Sequence, residues 1–284
     1  MGSKRVIKLG YSLLQNAGDA FNKPLIEKMS GASVVQAKVA DAELLALGGG
    51  LANLQFSKSF KRRTLQRIAG LAYAQRPLYV WGSGFLYGDN DAPFYRKNLV
   101  FCALRGELSR RKVSKLIGKE IDVPLCDPGL LIGDVYATSG KKQYSMGIIS
   151  HYIERDNPYF MDLHRSCPES VIIDIRNSPE VVAEKISQCE TIASSSLHGL
   201  VFADALGIPS LRLKVTEKLA GGDYKFDDYY SAYGLKNQVW VAKGTKFFPS
   251  AQIIKDKYAI SMDQVERMKK ELVQAYPEEL RIKG

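Results

Sequence analysis

The segment Ser194 to His198, with the sequence Ser-Ser-Ser-Leu-His, combines residue types suited to anion binding and proton transfer. It lies between the apolar runs 191–193 and 201–206, and this pattern predicts a buried strand that leads directly into a helix. Free N–H groups and the helix dipole at such a helix start attract phosphate or carboxylate. His198 can exchange a proton near neutral pH. The same segment is also compatible with a serine-capped helix that carries a structural histidine, so other residues must decide.

Other candidate residues stand at or just after the ends of predicted strands. Arg105, His151 and Arg176 each follow a short apolar run, and Asp19 is a predicted N-cap after the first strand and its loop. An arginine at a helix start opposes the helix dipole, while its planar donor fork suits a carboxylate or phosphate. Ligands of open parallel sheets bind at the carboxyl ends of the strands. We therefore expect these side chains to face one crevice together with His198.

The elements that would position these residues are short strands alternating with helical patterns. Strands are predicted over 5–9, 33–35, 43–47, 78–81, 99–104, 145–149, 171–175, 191–193 and 210–213. Most of them end at Gly, Ser or Asp, which is typical of a parallel sheet covered by helices. We expect an α/β protein of two Rossmann-like lobes with parallel sheets and an active site in the crevice between the lobes.

Composition shifts suggest where the lobes divide. The segment 133–142 is rich in Gly, Ser and Lys and is the best linker candidate. We expect an N-terminal lobe over 1–135, a C-terminal lobe over 140–250, and a C-terminal helical segment over 251–284 that packs back towards the N-terminal lobe. Within the first lobe, Leu65, Ile68 and Ala69 indicate a helix with one apolar face in a basic segment.

The composition narrows the class of protein and of partner. The 284 residues are 45% hydrophobic and 25% charged, which is ordinary for a globular protein. The net charge of +10 favours an anionic partner. The basic residues are dispersed and no nucleic-acid-binding module is visible, so phosphates and membrane surfaces rank above nucleic acid.

The four cysteines are far apart, which indicates neither a metal site nor a disulfide framework. With no apolar run of spanning length and no signal peptide, we expect a cytoplasmic protein.

Over most of residues 8–235 the chain resembles the polysaccharide pyruvyl transferase family. The strongest match is 189–200, Cys-Glu-Thr-Ile-Ala-Ser-Ser-Ser-Leu-His-Gly-Leu, followed by 203–205 and 207–209. One departure is Ser150, where the family pattern has proline before the histidine. Supporting matches occur at Asn16–Ala20, Gly82–Gly84, Leu104–Gly106, Ser109-Arg110, Cys126–Pro128, His151-Tyr152, Asp174–Arg176 and Gly221–Phe226. The family is similar in architecture to two-lobed GT-B glycosyltransferases.

The resemblance implies transfer of pyruvate from phosphoenolpyruvate to two hydroxyls of a sugar, forming a ketal and releasing phosphate. Phosphoenolpyruvate is then the donor substrate, and no cofactor is implied. The acceptor would be a sugar of a polysaccharide or of a lipid-linked oligosaccharide. The N-terminal lobe would carry the acceptor side and the C-terminal lobe the donor side.

On this basis we assign roles to the candidate residues. His198 is the expected general acid, Arg105 holds the phosphate or carboxylate, and Asp19 or His151 accepts the proton of the acceptor hydroxyl. The backbone of Ser195, Ser196 and Leu197 binds the remaining anion. Further substrate-binding residues are expected at Asn16, Gly82, Arg176 and Lys225.

Two other functions remain open at this point. One is a GT-B glycosyltransferase with a nucleotide-sugar donor, although the second half lacks an acidic residue placed for a ribose. The other is a basic glycan- or membrane-binding protein without catalysis. The positive charge is also compatible with peripheral docking at the cytoplasmic face of an anionic inner membrane.

Overall fold

The strands form two parallel five-stranded sheets in a computed structural model that describes residues 5–242 and 247–282. The first sheet contains β1 (Val6–Gly10), β2 (Ser33–Ala37), β3 (Leu44–Leu45), β4 (Leu78–Ser83) and β5 (Leu99–Leu104). The second contains β6 (Met146–Ile149), β7 (Ser170–Ile172), β8 (Ile192–Ser194), β9 (Ser210–Lys214) and β10 (Val239–Val241). The predicted α/β class with two parallel sheets is confirmed.

Helices cover these sheets. They are α1 (Ala17–Ser30), α2 (Phe60–Ala72), α3 (Glu107–Ile117), α4 (Ile132–Val135), α5 (Pro158–Ser166), α6 (Pro179–Ser187), α7 (Leu197–Ala205), α8 (Tyr224–Ser231), α9 (Ala251–Lys257) and α10 (Met262–Gln274). Short 3-10 turns occupy Leu51–Leu54, Pro128–Leu131 and Glu278–Leu280. In the described ranges, no helix combines the length and apolarity needed to cross a bilayer.

The two sheets repeat one strand order. The first is ordered β2-β1-β3-β4-β5, and the second β10-β9-β8-β6-β7. In both, the first strand of the half lies between the second and the third, so each sheet reverses its winding between its first and third strands. Crevices for ligands open at such switch points, at the carboxyl ends of the strands. The fold therefore provides two switch points, β1/β3 and β6/β8.

Segments outside the sheets hold the two halves together. The 3-10 turn Pro128–Leu131 packs on α7, where a Cβ added to Gly129 would lie 2.7 Å from the Val201 side chain. Helix α10 returns to the first sheet, since the Trp81 indole N–H donates to the Leu272 carbonyl at 2.8 Å. The linker candidate 133–142 begins inside α4, so the irregular chain between the halves starts only after that helix.

Helix α2 differs from the expectation for its apolar face. The helix forms as predicted, yet Leu65 and Ile68 are exposed and only Ala69 of the three packs on the protein. The reason lies in polar anchoring of the opposite side. The Gln66 side chain donates to the Gln55 carbonyl at 3.1 Å and accepts from the Ser57 N–H at 2.8 Å.

Candidate active site

One cavity of about 620 Å³ lies where the two switch points face each other. Its volume is typical of a small-molecule site. Residues that follow β1 and β3 line one wall, and residues that follow β6 and β8 line the other. Its lining includes the polar and charged candidates and their neighbours: Asn16, Asp19, Arg105, His151, Tyr152, Ser196, Leu197, His198 and Lys225. The crevice predicted between the lobes is therefore present, and both sheets contribute to it.

The start of α1 places a carboxylate in this cavity. The N-cap is Asn16 and not Asp19 as predicted, and the Asn16 side chain accepts from the Asp19 N–H at 3.0 Å and donates to the Asp19 carboxylate. Burial raises the pKa of Asp19 to about 6, against the opposing effects of Asn16 and of the Lys225 charge. Asp19 is thus ionised at neutral pH and close to titrating. Asn16 and Asp19 both line the cavity, as expected.

His198 lies directly against Gly18 of the opposite lobe. A Cβ built on Gly18 would lie 1.8 Å from the His198 Nδ1, so only glycine leaves room for the ring. The His198 Nε2 is buried and has no hydrogen-bond partner among the described residues. Burial, followed by the charges of Lys225, Arg105 and His151, lowers the pKa of His198 to about 3. The imidazole is therefore neutral until an anion offsets these cations.

The serines before α7 are already engaged with each other and with the chain. The Ser195 N–H donates to the Ile149 carbonyl at 3.0 Å, and the Ser196 N–H donates to the Ser194 hydroxyl at 3.0 Å. Ser195 is fully buried and does not line the cavity. Of the remaining N–H groups at this helix start, those of Leu197 and His198 belong to residues that line the cavity. The expected anion contacts of Ser195 and of the Ser196 N–H do not fit the structure.

Ser195 instead positions His151. Its hydroxyl accepts the His151 N–H at 2.8 Å, which ties the chain after β6 to the chain after β8. The His151 ring stacks on Tyr152 with 4.5 Å between centroids. Burial and the Lys225 charge lower the pKa of His151 to about 4, so this imidazole is also neutral near pH 7. His151 faces the cavity, as predicted from its place at a strand end.

Lys225 supplies a cation to the same cavity. Its side chain is buried, and no described carboxylate forms an ion pair with it. Burial, followed by the charges of Arg105 and Arg212, lowers the pKa of Lys225 to about 8. A buried ammonium without an ion pair is costly, and an anionic ligand would remove that cost.

Arg105 borders the cavity but has a partner within the protein. It is 1% exposed, and its Nε donates to the Asp228 carboxylate at 2.9 Å. Its Nη2 donates to the Phe85 carbonyl at 2.6 Å. Asp228 also accepts the N–H of Ser109 at 2.7 Å and the Ser109 hydroxyl at 2.6 Å. These two bonds use two of the five guanidinium N–H groups, so the two on Nη1 and the second on Nη2 are left for a ligand, while the Nε edge is committed to Asp228.

Two predicted substrate-binding residues lie outside the cavity. Gly82 is buried under the ring of Pro128, at a φ of 81° that favours glycine. Arg176 is paired with Asp174, to which its Nε donates at 2.9 Å. Gly82 lies at an irregularity near the end of β4 and Arg176 pairs with its near neighbour Asp174, so both serve local structure and both expectations are corrected.

The sequence did not point to Asp228, which fixes Arg105. The available signal was the carboxylate pair Asp227-Asp228, which closely follows Lys225. Nothing in that pattern shows that Asp228 reaches the start of α3, because 119 residues separate it from Ser109. In the part of the chain that the structure describes, no group of three or more His, Cys, Asp or Glu side chains is arranged to hold a metal ion.

Comparison with known proteins gives a family match over most of the chain. The model of the family described as polysaccharide pyruvyl transferase matches residues 7–215. This range includes Asp19, Arg105, His151 and the segment before α7, and it ends before Lys225.

Two curated relatives share about a quarter of their residues with this chain. Uncharacterized protein L143 of Acanthamoeba polyphaga mimivirus is 26% identical over 227 residues, which are 78% of this chain and 72% of the relative. Succinoglycan biosynthesis protein ExoV of Rhizobium meliloti (strain 1021) is 26% identical over 160 residues, 55% of this chain and 48% of that relative. The second alignment thus spans about half the length of ExoV.

Among solved structures, a glycosyl transferase of family 9 from Veillonella parvula DSM 2008 aligns with 96% of this chain and 98% of its own. The TM-score is 0.34 and the sequence identity 10%. At that level the similarity carries no argument about the reaction.

Proposed function

Since the chain belongs to the polysaccharide pyruvyl transferase family and is therefore a transferase, we propose that it moves pyruvate from phosphoenolpyruvate onto two hydroxyls of one sugar. The products are a ketal-linked pyruvate and inorganic phosphate. The observation that carries the proposal is the cavity at the two switch points, where an unpaired buried ammonium and two neutral imidazoles face a carboxylate. Such a site suits a donor with several negative charges that must receive a proton, together with an acceptor hydroxyl that must lose one.

The donor is held by its two anionic groups. The Lys225 ammonium and the free N–H groups of Leu197 and His198 lie on the wall formed by the second half of the chain. The Nη1 of Arg105 adds a donor from the first half. These groups bind the phosphate and the carboxylate of phosphoenolpyruvate, and the enzyme needs no cofactor for the reaction.

His198 is the proposed proton donor to the methylene carbon. Burial, followed by the positive charges of Lys225 and Arg105, lowers its pKa to about 3. A bound donor brings opposite charge next to the imidazole and raises its pKa, so the proton arrives together with the substrate. Protonation of the methylene carbon leaves positive character on the adjacent carbon, which the first sugar hydroxyl attacks. Phosphate then leaves, and the second hydroxyl closes the ketal.

Asp19 is the proposed base for the acceptor hydroxyls. With a pKa of about 6 it is ionised at neutral pH, and Asn16 fixes its orientation. The His151 Nδ1 already accepts a hydrogen bond from the Ile153 N–H at 3.4 Å. We therefore propose that Asp19 accepts the proton of the acceptor hydroxyl. His151 supports the wall of the cavity that binds the donor.

The acceptor is a sugar of a polysaccharide repeat, free or lipid-linked. It enters over the part of the cavity lined by the chain after β2, by Asn53 and by Tyr95. We propose that the protein works in the cytoplasm, and the net charge of +10 supports peripheral contact with an anionic inner membrane.

The decisive experiment incubates the protein with phosphoenolpyruvate and oligosaccharide acceptors. We expect phosphate release that depends on the acceptor, together with a glycan that has gained pyruvate in ketal linkage by mass spectrometry. Nucleotide sugars should support no transfer. His198→Ala should lose about 100-fold or more of turnover, as expected for a general acid. Failure of every tested glycan to stimulate phosphate release, or retention of a tenth of turnover by His198→Ala, would overturn the respective assignment.

A further inference from the structure

Helix α2 presents a row of large apolar side chains to solvent. Phe60 is 83% exposed, Leu71 80%, and Leu65 and Ile68 60% each. Their spacing places them along one side of the helix. A contiguous exposed apolar strip of this kind marks a surface that another structure covers.

The opposite side of α2 holds the helix on the protein. It consists of the half-buried residues Gln66, Ala69, Gly70 and Tyr73. Gly70 lies so close to the Tyr95 carbonyl that an added Cβ would be 2.3 Å from it. Because this anchored face is fixed, the apolar strip points away from the body of the molecule.

The charge around the strip is of one sign. Residues 57–75 contain five basic residues and neither Asp nor Glu. These are Lys58, Lys61, Arg62, Arg63 and Arg67. All five are exposed, and none forms an ion pair with a described carboxylate. Two copies of this chain meeting through α2 would bring like charges together, which opposes self-association by this face.

We propose that α2 is an interfacial helix that docks the protein onto an anionic lipid bilayer. Its apolar strip enters the boundary between headgroups and acyl chains, and its basic side chains contact the anionic headgroups. A basic, amphipathic helix with Phe and Leu on its apolar side has the properties of such an anchor. Each Lys or Arg near an anionic membrane strengthens partitioning about fivefold.

The docked helix also fixes which part of the cavity faces the membrane. Tyr95 contacts Gly70 through its carbonyl and lines the cavity, and Gln66 of the helix binds the Gln55 carbonyl next to the turn Leu51–Leu54. The cavity wall near Asn53 and Tyr95 therefore lies next to the bilayer. The functional meaning of this orientation rests on the proposed function, because a lipid-linked acceptor would enter the cavity from the membrane. Docking of α2 on the bilayer does not depend on the reaction.

Vesicle flotation tests the proposal without any substrate. Vesicles of phosphatidylcholine alone are compared with vesicles that contain phosphatidylglycerol, at low and at high salt. We expect the protein to float only with the phosphatidylglycerol vesicles and to be released by high salt. Phe60→Ser/Leu71→Ser should weaken partitioning at least about tenfold, and Arg62→Gln/Arg63→Gln/Arg67→Gln about 100-fold.

Matched controls remove the same chemistry elsewhere. Lys236→Gln/Lys257→Gln/Lys270→Gln lowers the net charge equally, and Phe247→Ser removes a phenylalanine that is 78% exposed on the other half. Both controls should float like the unaltered protein. Phosphate release with a water-soluble acceptor should be unchanged in the α2 variants, which separates docking from the reaction.

Several results would overturn the proposal. The first is absence of flotation with phosphatidylglycerol vesicles. The second is equal loss in the control and α2 variants, which would indicate a diffuse effect of net charge. The third is a change of oligomeric state in Phe60→Ser/Leu71→Ser by light scattering, which would assign the strip to a second copy of the chain.

Discussion

At the scale of single residues, the contact between Gly18 and His198 controls the proposed chemistry. Gly18 belongs to the first turn of α1 and His198 to the first turn of α7, so each half of the chain brings one helix start to the contact. The imidazole occupies the space that a side chain at position 18 would fill. The position of the proposed proton donor therefore depends on the absence of a side chain at Gly18 of the other lobe.

Gly18→Ala should displace His198 while leaving the fold intact. The added Cβ cannot remain 1.8 Å from the His198 Nδ1, so the ring must move. A displacement of about 1 Å in a catalytic group costs about 100-fold in rate, and we expect that loss in turnover. Ala20→Ser, on the exposed side of the same helix, is the control and should keep full activity. An unchanged turnover for Gly18→Ala would show that His198 works from another position.

Lys225 predicts a pH limit for donor capture. Burial holds its pKa at about 8, so the ammonium loses its proton as the pH rises through that value. We expect kcat/KM for phosphoenolpyruvate to fall above about pH 8. In Lys225→Arg this limb should move to higher pH, because the guanidinium remains charged. Lys225→Gln should lower kcat/KM at pH 7 by about 10- to 100-fold. A limb that stays in place in Lys225→Arg would assign it to another group.

Residue types and strand ends placed several of the candidate residues at the cavity from sequence alone. Asp19, His151 and His198 follow predicted strands, whose carboxyl ends converge in a parallel sheet, and Asn16 was identified by the resemblance to the family. Ser195 was misassigned because sequence does not show that its N–H and hydroxyl are consumed within the protein. The same limit applies to Arg176, whose partner Asp174 is its near neighbour in the chain.

At the scale of secondary structure, α8 connects the two halves because its Asp228 side chain binds the N-terminus of α3. Asp228 of α8 accepts from the Ser109 N–H of α3 and from Arg105, which precedes that helix. A Cβ on Gly106 would lie 1.7 Å from the Asp228 carbonyl, so glycine permits the close approach. The negative charge of Asp228 at the N-terminus of α3 offsets the unfavourable interaction between the Arg105 charge and the helix dipole.

Asp228→Asn should destabilise the protein more than removal of a surface pair. The change leaves the Arg105 guanidinium buried without its counter-charge, at an expected loss of about 3–5 kcal/mol in the free energy of unfolding. Asp162→Asn, which breaks an exposed pair with Arg165, should cost less than about 1 kcal/mol. Urea denaturation measures both. Equal, small losses would mean that water reaches Arg105 and solvates it.

The position of α2 shows why helical periodicity is insufficient to orient a helix. Periodicity correctly predicted an amphipathic helix, and a core-facing apolar side is the usual outcome. Here the inner side is held by the two hydrogen bonds of the Gln66 side chain and by a glycine against a carbonyl. Those partners, Gln55, Ser57 and Tyr95, are identified only by the tertiary structure.

At the scale of the whole molecule, a buried carboxyl joins α7, β9 and α8. The Asp204 carboxyl accepts from the Tyr229 hydroxyl at 2.8 Å and from the Ser210 hydroxyl at 2.9 Å. Burial raises its pKa from 3.8 to about 7. The folded protein therefore favours the protonated form, while the unfolded chain ionises near pH 4.

This difference predicts that stability declines with rising pH. The contribution of Asp204 is fully present below about pH 4 and is lost as the pH rises through about 7. Relative to Asp204→Asn, the wild-type free energy of unfolding should fall over this interval by at most about 4 kcal/mol. Other groups titrate in both proteins, so the difference isolates Asp204. Parallel pH profiles for the two proteins would show that Asp204 is ionised in the fold.

Because the two sheets repeat one strand order, two separate stretches of the sequence line the cavity. One wall comes from residues that follow β1 and β3, and the other from residues that follow β6 and β8. Substitutions in the part of the cavity lining that follows β2, away from the contact between Gly18 and His198, can therefore accumulate without disturbing the Ser-Leu-His turn. A recombinant protein that takes residues 36–58 from a homologue should inherit the glycan preference of that homologue and retain its own donor. Under the proposed function, residues 36–58 would form an exchangeable segment that determines the choice of acceptor.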